Sequence, residues 1–282
     1  MTLVAAFRSL DRIISMSDTL ISNRDSPRPN AVPGRLKSVV VNRWLTISYA
    51  GLSSQALDCI RIIRATRGLT TNQAISLLSA FSTAHNGDVE FIVCSHEEHG
   101  TPRLVKIHHE LVSEGQDMYW IGDADAARQF SRLELRPLQG EAEGEYYTLE
   151  ERRFARRFHE FMAANPVSSV GGLVVEALAS PYGHCYNENL GVFVDRVTVP
   201  DPLEPTLRAE MNKAGMNGYY SYAVLSSAER GEAVVGMYFA QAEMGYIHTP
   251  LVSDDAVKVS ALTQEEFQAV IRSHTVQGQN DA

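Results

Sequence analysis

The chain has 282 residues, 44% apolar and 21% charged, with a net charge of −9. That length can bury a sizeable core, and the acidic balance argues against nucleic acid or an anionic membrane surface as a partner. No apolar run approaches the roughly 20 residues of a membrane span. Arg8, Asp11 and Arg12 interrupt any signal-peptide core. Cys59, Cys94 and Cys185 are scattered and form no CxxC pair, so a cytoplasmic location is expected.

Thr2–Arg8 and Arg12–Ser17 are apolar-rich runs around Ser9-Leu10-Asp11 and predict an opening hairpin, closed by Asp18. A breaker-rich loop follows from Ser22 to Gly34, with Pro27, Pro29 and Pro33. Lys37–Val41 and Trp44–Ala50 predict a second hairpin turning at Asn42-Arg43. Gly51 ends the fourth strand. Helical spacing then covers Leu52–Arg67 and Thr71–His85, the second with a Thr cap. Strands are predicted at Val89–Ser95, Arg103–Val112 and Met118–Ile121, and helices at Asp123–Leu133 and Thr148–Ala164. Glu151 stands three residues after Thr148, the spacing of a capping box.

Leu173–Ala179, Gly191–Val199, Gly218–Leu225 and Ala233–Gln241 read as further strands. Leu207–Lys213 reads as a short helix and Thr263–His274 as a final amphipathic one. Strand runs and helix pairs are segregated rather than alternating, which points to an α+β layered fold. Two antiparallel sheets packed face to face, with helices on both outer faces, satisfy the element count. No linker of boundary quality divides the chain, so residues 1–282 are expected to form one domain.

The polar residues at the strand ends carry the chemical signal. Thr2 opens strand one, Asp18 closes its hairpin partner, Lys37 begins strand three, and Gly51 ends strand four. A meander brings such ends to one sheet edge. Trimming of Met1 is expected, because a small residue follows it. A free Thr2 would then carry an α-amine of pKa near 7.7–8.0, able to act as general base for its own hydroxyl. Lys37, oriented by Asp18, would favour the alkoxide, and the Gly51 N–H would stabilise a carbonyl oxyanion.

This constellation resembles the proteasome β-subunit family and its bacterial ring-peptidase relatives, within the N-terminal-nucleophile hydrolases. The resemblance rests on Thr2-Leu-Val-Ala-Ala, Ile14-Ser-Met-Ser-Asp18, Lys37 before an apolar strand, and Tyr49-Ala50-Gly51-Leu52 running into a helix. Thr2 to Asp18 is sixteen positions and Lys37 to Gly51 fourteen, the family's spacings. It covers about residues 2–180; residues 181–282 extend beyond a compact member, and their late strands and last helix are expected to complete the same sandwich. Trp120–Ala124 resembles the segment before the family's third helix, with Asp123 where a serine supports the catalytic amine. Ser169-Val170-Gly171-Gly172 resembles the later Ser-Gly-Gly region, whose preceding Asp has no counterpart among Pro166, Val167 and Ser168.

The resemblance implies a four-layer αββα sandwich and a threonine-type peptidase or amide hydrolase working through an acyl-enzyme. It implies Thr2, Asp18, Lys37, Gly51, Asp123 and Ser169 as catalytic candidates. A peptide or protein substrate would bind as an added strand, with Ser22 on its backbone and Arg35 and Tyr49 bordering its side chain. A homo-oligomer, as a ring or stacked dimers, is implied, while an ATP-dependent unfoldase partner is left open. No cofactor and no metal are implied. An inactive scaffold subunit and an amidase or transpeptidase on the same fold are the alternatives.

Other clusters read more plainly. His96-Glu97-Glu98-His99 lacks the HExxH spacing of a zinc helix, and His108-His109 adds no pattern. Arg152, Arg153, Arg156 and Arg157 form a basic helix stripe, expected to be solvated or to meet a subunit, while Phe154, Phe158 and Phe161 face the core.

Overall fold

The structure, a computed structural model, describes residues 2–21, 32–96, 100–134, 148–164, 167–194, 210, 219–227, 230–261 and 263–277. It is a mixed α+β molecule with three antiparallel five-stranded sheets and five helices among the described residues.

The first sheet is built on β1 (Leu3–Ser9) and β2 (Arg12–Asp18). Alternation sorts their side chains between two faces. Leu3, Ala5, Ile14 and Met16 pack under two helices, while Val4, Ala6 and Ile13 face a second sheet. The second sheet starts from β3 (Ser38–Asn42) and β4 (Leu45–Gly51) and adds β5 (Val89–Ser95), β6 (Arg103–His108) and β7 (Leu111–Glu114) in that order. The run Arg103–Val112 is therefore two strands rather than one. His109, at φ 54°, makes the turn between them, a conformation that disfavours strand continuation. β8 (Met118–Gly122) returns to pair with β1, and β9 (Val174–Ala179) and β10 (Cys185–Tyr186) extend the sheet beyond β2.

Between β4 and β5 lie α1 (Ser53–Ala65) and α2 (Thr71–Ala84). Ala56, Leu57, Ile60, Ala74 and Leu78 from these helices pack on Val39, Ile47, Phe91 and Val93 of the second sheet. α3 (Ala124–Arg132) and α4 (Leu149–Ala164) cover the first sheet through Phe130, Phe154, Phe158 and Phe161. The expected capping box is present: Glu151 N–H donates to Thr148 Oγ1 at 3.2 Å, and Thr148 N–H donates to Glu151 Oε2 at 2.6 Å. α2 has the same device in Thr70 and Gln73.

The late strands do not complete the first two sheets. β11 (Asn189–Val194), β12 (Tyr219–Ser226), β13 (Val235–Phe239), β14 (Met244–His248) and β15 (Val257–Ser260) form a third sheet of their own. The reason is that it has two apolar faces. Ala223, Leu225, Tyr238 and Ile247 lie under α5 (Gln264–Gln277) with Phe267 and Ile271. Tyr222, Val224, Met237 and Tyr246 pack against Val40 and Val175 of the other two sheets and against Leu20 and Leu36 beside them. The sequence reading missed β14 and β15. The predicted helix Leu207–Lys213 lies outside the described residues except for residue 210. Among the described residues no helix is long and apolar enough to cross a membrane.

Candidate active site

Thr2 stands immediately before β1, which pairs with β2 on one side and β8 on the other. Both neighbours supply groups to it. Its hydroxyl donates to Asp18 Oδ1 and accepts from Lys37 Nζ. Lys37 Nζ also donates to Asp18 Oδ1 at 2.8 Å and to the Leu20 carbonyl at 2.6 Å. Asp18 accepts on both oxygens: Leu3 N–H also reaches Oδ1 at 3.1 Å and Gly171 N–H reaches Oδ2 at 3.2 Å. All three side chains are buried.

Burial holds the Lys37 ammonium below the usual lysine range, and the Asp18 charge and hydrogen bond oppose that shift. A lysine whose charge is costly, donating to a threonine hydroxyl, can stabilise a developing alkoxide with little reorganisation. The geometry thus provides a hydroxyl with both a cationic donor and an anionic acceptor.

On the other side of β1, the Asp123 N–H donates to the Thr2 carbonyl at 2.6 Å. Gly122 makes this approach feasible. It has φ +99°, and a Cβ there would lie 2.1 Å from the Thr2 carbonyl oxygen. Asp123 is the N-cap of α3, accepting from the N–H groups of Asp125 at 2.8 Å and Ala126 at 2.9 Å. Ser169 Oγ donates to its other oxygen at 2.5 Å. Burial pushes the Asp123 carboxyl up, but the hydrogen bonds from Ser169, Ala126 and Asp125 together bring it below the usual aspartate value. The segment Ser169–Gly171 therefore touches both carboxylates, Asp123 through a hydroxyl and Asp18 through a backbone N–H.

Gly51 is exposed at the end of β4, immediately before α1. Its φ is +99°, and a Cβ would fall 1.8 Å from the Asp88 carbonyl oxygen. Two residues earlier, the Tyr49 N–H donates to the Lys37 carbonyl at 2.9 Å, which joins β4 to the lysine. Tyr49 is buried, and its hydroxyl donates to the Leu36 carbonyl at 3.1 Å. Arg35 donates to Ser53 Oγ at 2.9 Å and Ser54 Oγ at 2.8 Å, at the start of α1. Ser22 lies outside the described residues.

Two contributors escaped the sequence reading. Glu90 on β5 accepts from the Gly122 N–H at 2.7 Å and so holds the end of β8 against Thr2. Thr19 accepts from the Leu173 N–H at 2.8 Å and fixes the approach to β9. A lone glutamate in an alternating strand and a threonine after a strand end carry no distinctive pattern.

His96, His184 and His108 are engaged away from Thr2. His96 Nδ1 and His184 Nε2 lie 3.3 Å apart, His96 Nε2 donates to the Asp11 carbonyl at 2.8 Å, and His108 Nδ1 is 2.7 Å from Glu90 Oε1. His99 lies outside the described residues. Among the described residues no group of three or more His, Cys, Asp or Glu side chains is placed to hold a metal ion. Burial raises the thiols of Cys59 to about 11 and Cys94 to about 12. No protein-family model matches this chain, and no curated protein matches it.

Proposed function

We propose that the chain is a threonine-type N-terminal-nucleophile hydrolase of the proteasome-like kind, cutting peptide or other amide bonds. The observation that carries this reading is the Thr2 hydroxyl, bonded to both Asp18 and Lys37 in a buried cluster. The packing of α3 and α4 on one sheet, and of α1 and α2 on the other, supports a four-layer αββα sandwich of the Ntn type.

In this reading, removal of Met1 frees the Thr2 amine. Thr2 Oγ attacks the substrate carbonyl carbon while the amine takes the hydroxyl proton. Lys37 stabilises the alkoxide and Asp18 holds Lys37. The Gly51 N–H receives the oxyanion. The amine then passes its proton to the leaving nitrogen as the amide C–N bond breaks. Water, deprotonated by the same amine, hydrolyses the acyl ester and restores Thr2. Asp123 and Ser169 hold the backbone and the charge balance beside the amine.

A second reading, an inactive scaffold subunit, draws on the Asp123 carboxylate. A carboxylate beside an N-terminal ammonium raises its pKa and weakens it as a base. The deciding experiment is intact mass of untagged protein, then a peptide library and an N-terminal-threonine-directed inhibitor. Loss of one Met, adduct formation on Thr2, and a loss of about 10³-fold or more in Thr2→Ala are expected. Retained Met1, or a Thr2→Ala variant as active as wild type, would move the assignment to the scaffold.

A further inference from the structure

α4 carries a face that the Thr2 chemistry leaves unused. Glu150, Arg153, Phe154 and Arg157 recur at helical spacing, so one side of the helix presents all four. That side meets the turn of the opening hairpin, at the opposite end of β1 from Thr2. Between them lies a cavity of about 700 Å³, within the range of small-molecule sites, roughly 300–1,000 Å³. Phe7, Leu10, Pro102, Met118 and Phe154 give it apolar walls. The Phe7 and Phe154 rings stack with their centroids 5.4 Å apart.

The arginines of α4 are not alike. Arg156 Nε donates to Glu160 Oε1 at 2.8 Å, and Arg152 and Arg153 also have partners. Arg157 has none among the described residues. Its side chain is half-buried, and its Nε is enclosed and unbonded. A guanidinium held against aromatic walls without an acceptor is unfavourable on its own. Its planar fork suits a carboxylate, which can accept two parallel N–H bonds.

Charge decides what the acceptor can be. Arg8 is already paired, with Nη2 2.8 Å from Asp117 Oδ1. Arg153 and Glu150 are both exposed and of opposite sign. The described lining holds three arginines, one aspartate and one glutamate, which leaves a single positive charge, and Arg157 is where it has no partner. A phosphate monoester would bring about 1.5–2 negative charges against Asp117 and Glu150. A monocarboxylate brings one, and an apolar body attached to it removes the aromatic walls from water.

We propose that this cavity binds a small monocarboxylate with an apolar body, its carboxylate on Arg157 and its body against Phe7, Met118 and Phe154. The site is separate from the Thr2 cluster and does not depend on the hydrolase reading.

The test is an NMR titration of the full chain labelled at its methionine methyl groups, with Met118 reporting from the cavity wall. The probes are hydrocinnamate, its neutral amide, acetate and phenyl phosphate. Hydrocinnamate is expected to shift Met118 and to bind about tenfold more tightly than its amide. Acetate, which lacks the body, should leave Met118 unmoved at the same concentration, and phenyl phosphate should bind more weakly than hydrocinnamate. Arg157→Met should bring hydrocinnamate down to the affinity of the amide. Glu150→Gln changes an exposed side chain and should tighten hydrocinnamate but not the amide, which keeps the test decisive if Arg157→Met does not fold. Equal affinities of hydrocinnamate and its amide, tighter binding of phenyl phosphate, no Met118 shift at millimolar hydrocinnamate, or a carboxylate preference that survives Arg157→Met would overturn the inference.

Discussion

Lys37 Nζ lies 2.8 Å from Asp18 Oδ1, with both side chains almost wholly removed from solvent. Breaking such a pair from one side leaves a buried charge uncompensated, typically at a cost of about 3–5 kcal/mol. The two sides are not equivalent. Without Lys37, Asp18 keeps donors from Thr2, Leu3 and Gly171. Without Asp18, the ammonium keeps only the Thr2 hydroxyl and the Leu20 carbonyl. Asp18→Ala should therefore destabilise more than Lys37→Met in urea unfolding, and the double variant should lose less than the sum. Equal single losses that add would refute the asymmetry.

Gly122 and Gly68 form a matched comparison. Both have positive φ, +99° and +71°, but a Cβ at Gly68 meets nothing within 4 Å while one at Gly122 meets the Thr2 carbonyl. Gly68→Ala should cost only the backbone term, about 1 kcal/mol. Gly122→Ala should cost more and displace the chain at Thr2. Thermal melts of both variants, with amide chemical shifts near Thr2, check this. Similar melting temperatures would show that the contact at Gly122 relaxes freely.

Acid should weaken the fold well above the carboxylate range. Burial holds His184 down to about 3, with help from His96, and His248 down to about 4. In the unfolded chain a histidine takes up its proton near pH 6.5. The unfolded state thus binds more protons, so stability is full above about pH 6.5 and falls as pH drops toward 4. The slope approaches about 1.4 kcal/mol per pH unit for each such histidine. Urea unfolding at pH 7, 6 and 5 measures it, and a flat profile across that window would rule the buried neutral histidines out.

Some of this molecule is legible residue by residue. The opening hairpin, both halves of the Thr148–Glu151 box and the two helices after Gly51 are local features. Spacing also placed Thr2, Asp18 and Lys37 at strand ends on one edge, and the structure brings those three into contact. Asp123 and Ser169 meet as well, although the sequence showed them only as separate segments.

What the chain alone determined follows from short-range rules: alternation fixes which strand residues face a core, and turn and cap residues fix where an element stops. What only the tertiary structure decided is which distant elements become neighbours. The third sheet exists because its middle strands, β12 to β14, bury two faces of their own. Glu90 reaches Gly122, Gly171 reaches Asp18, and Asp254 reaches Arg35 only because strand order and sheet packing set those distances. A periodicity of two or 3.6 residues carries no information about a partner more than a hundred positions away, and the pair of Arg35 and Asp254 is of that kind.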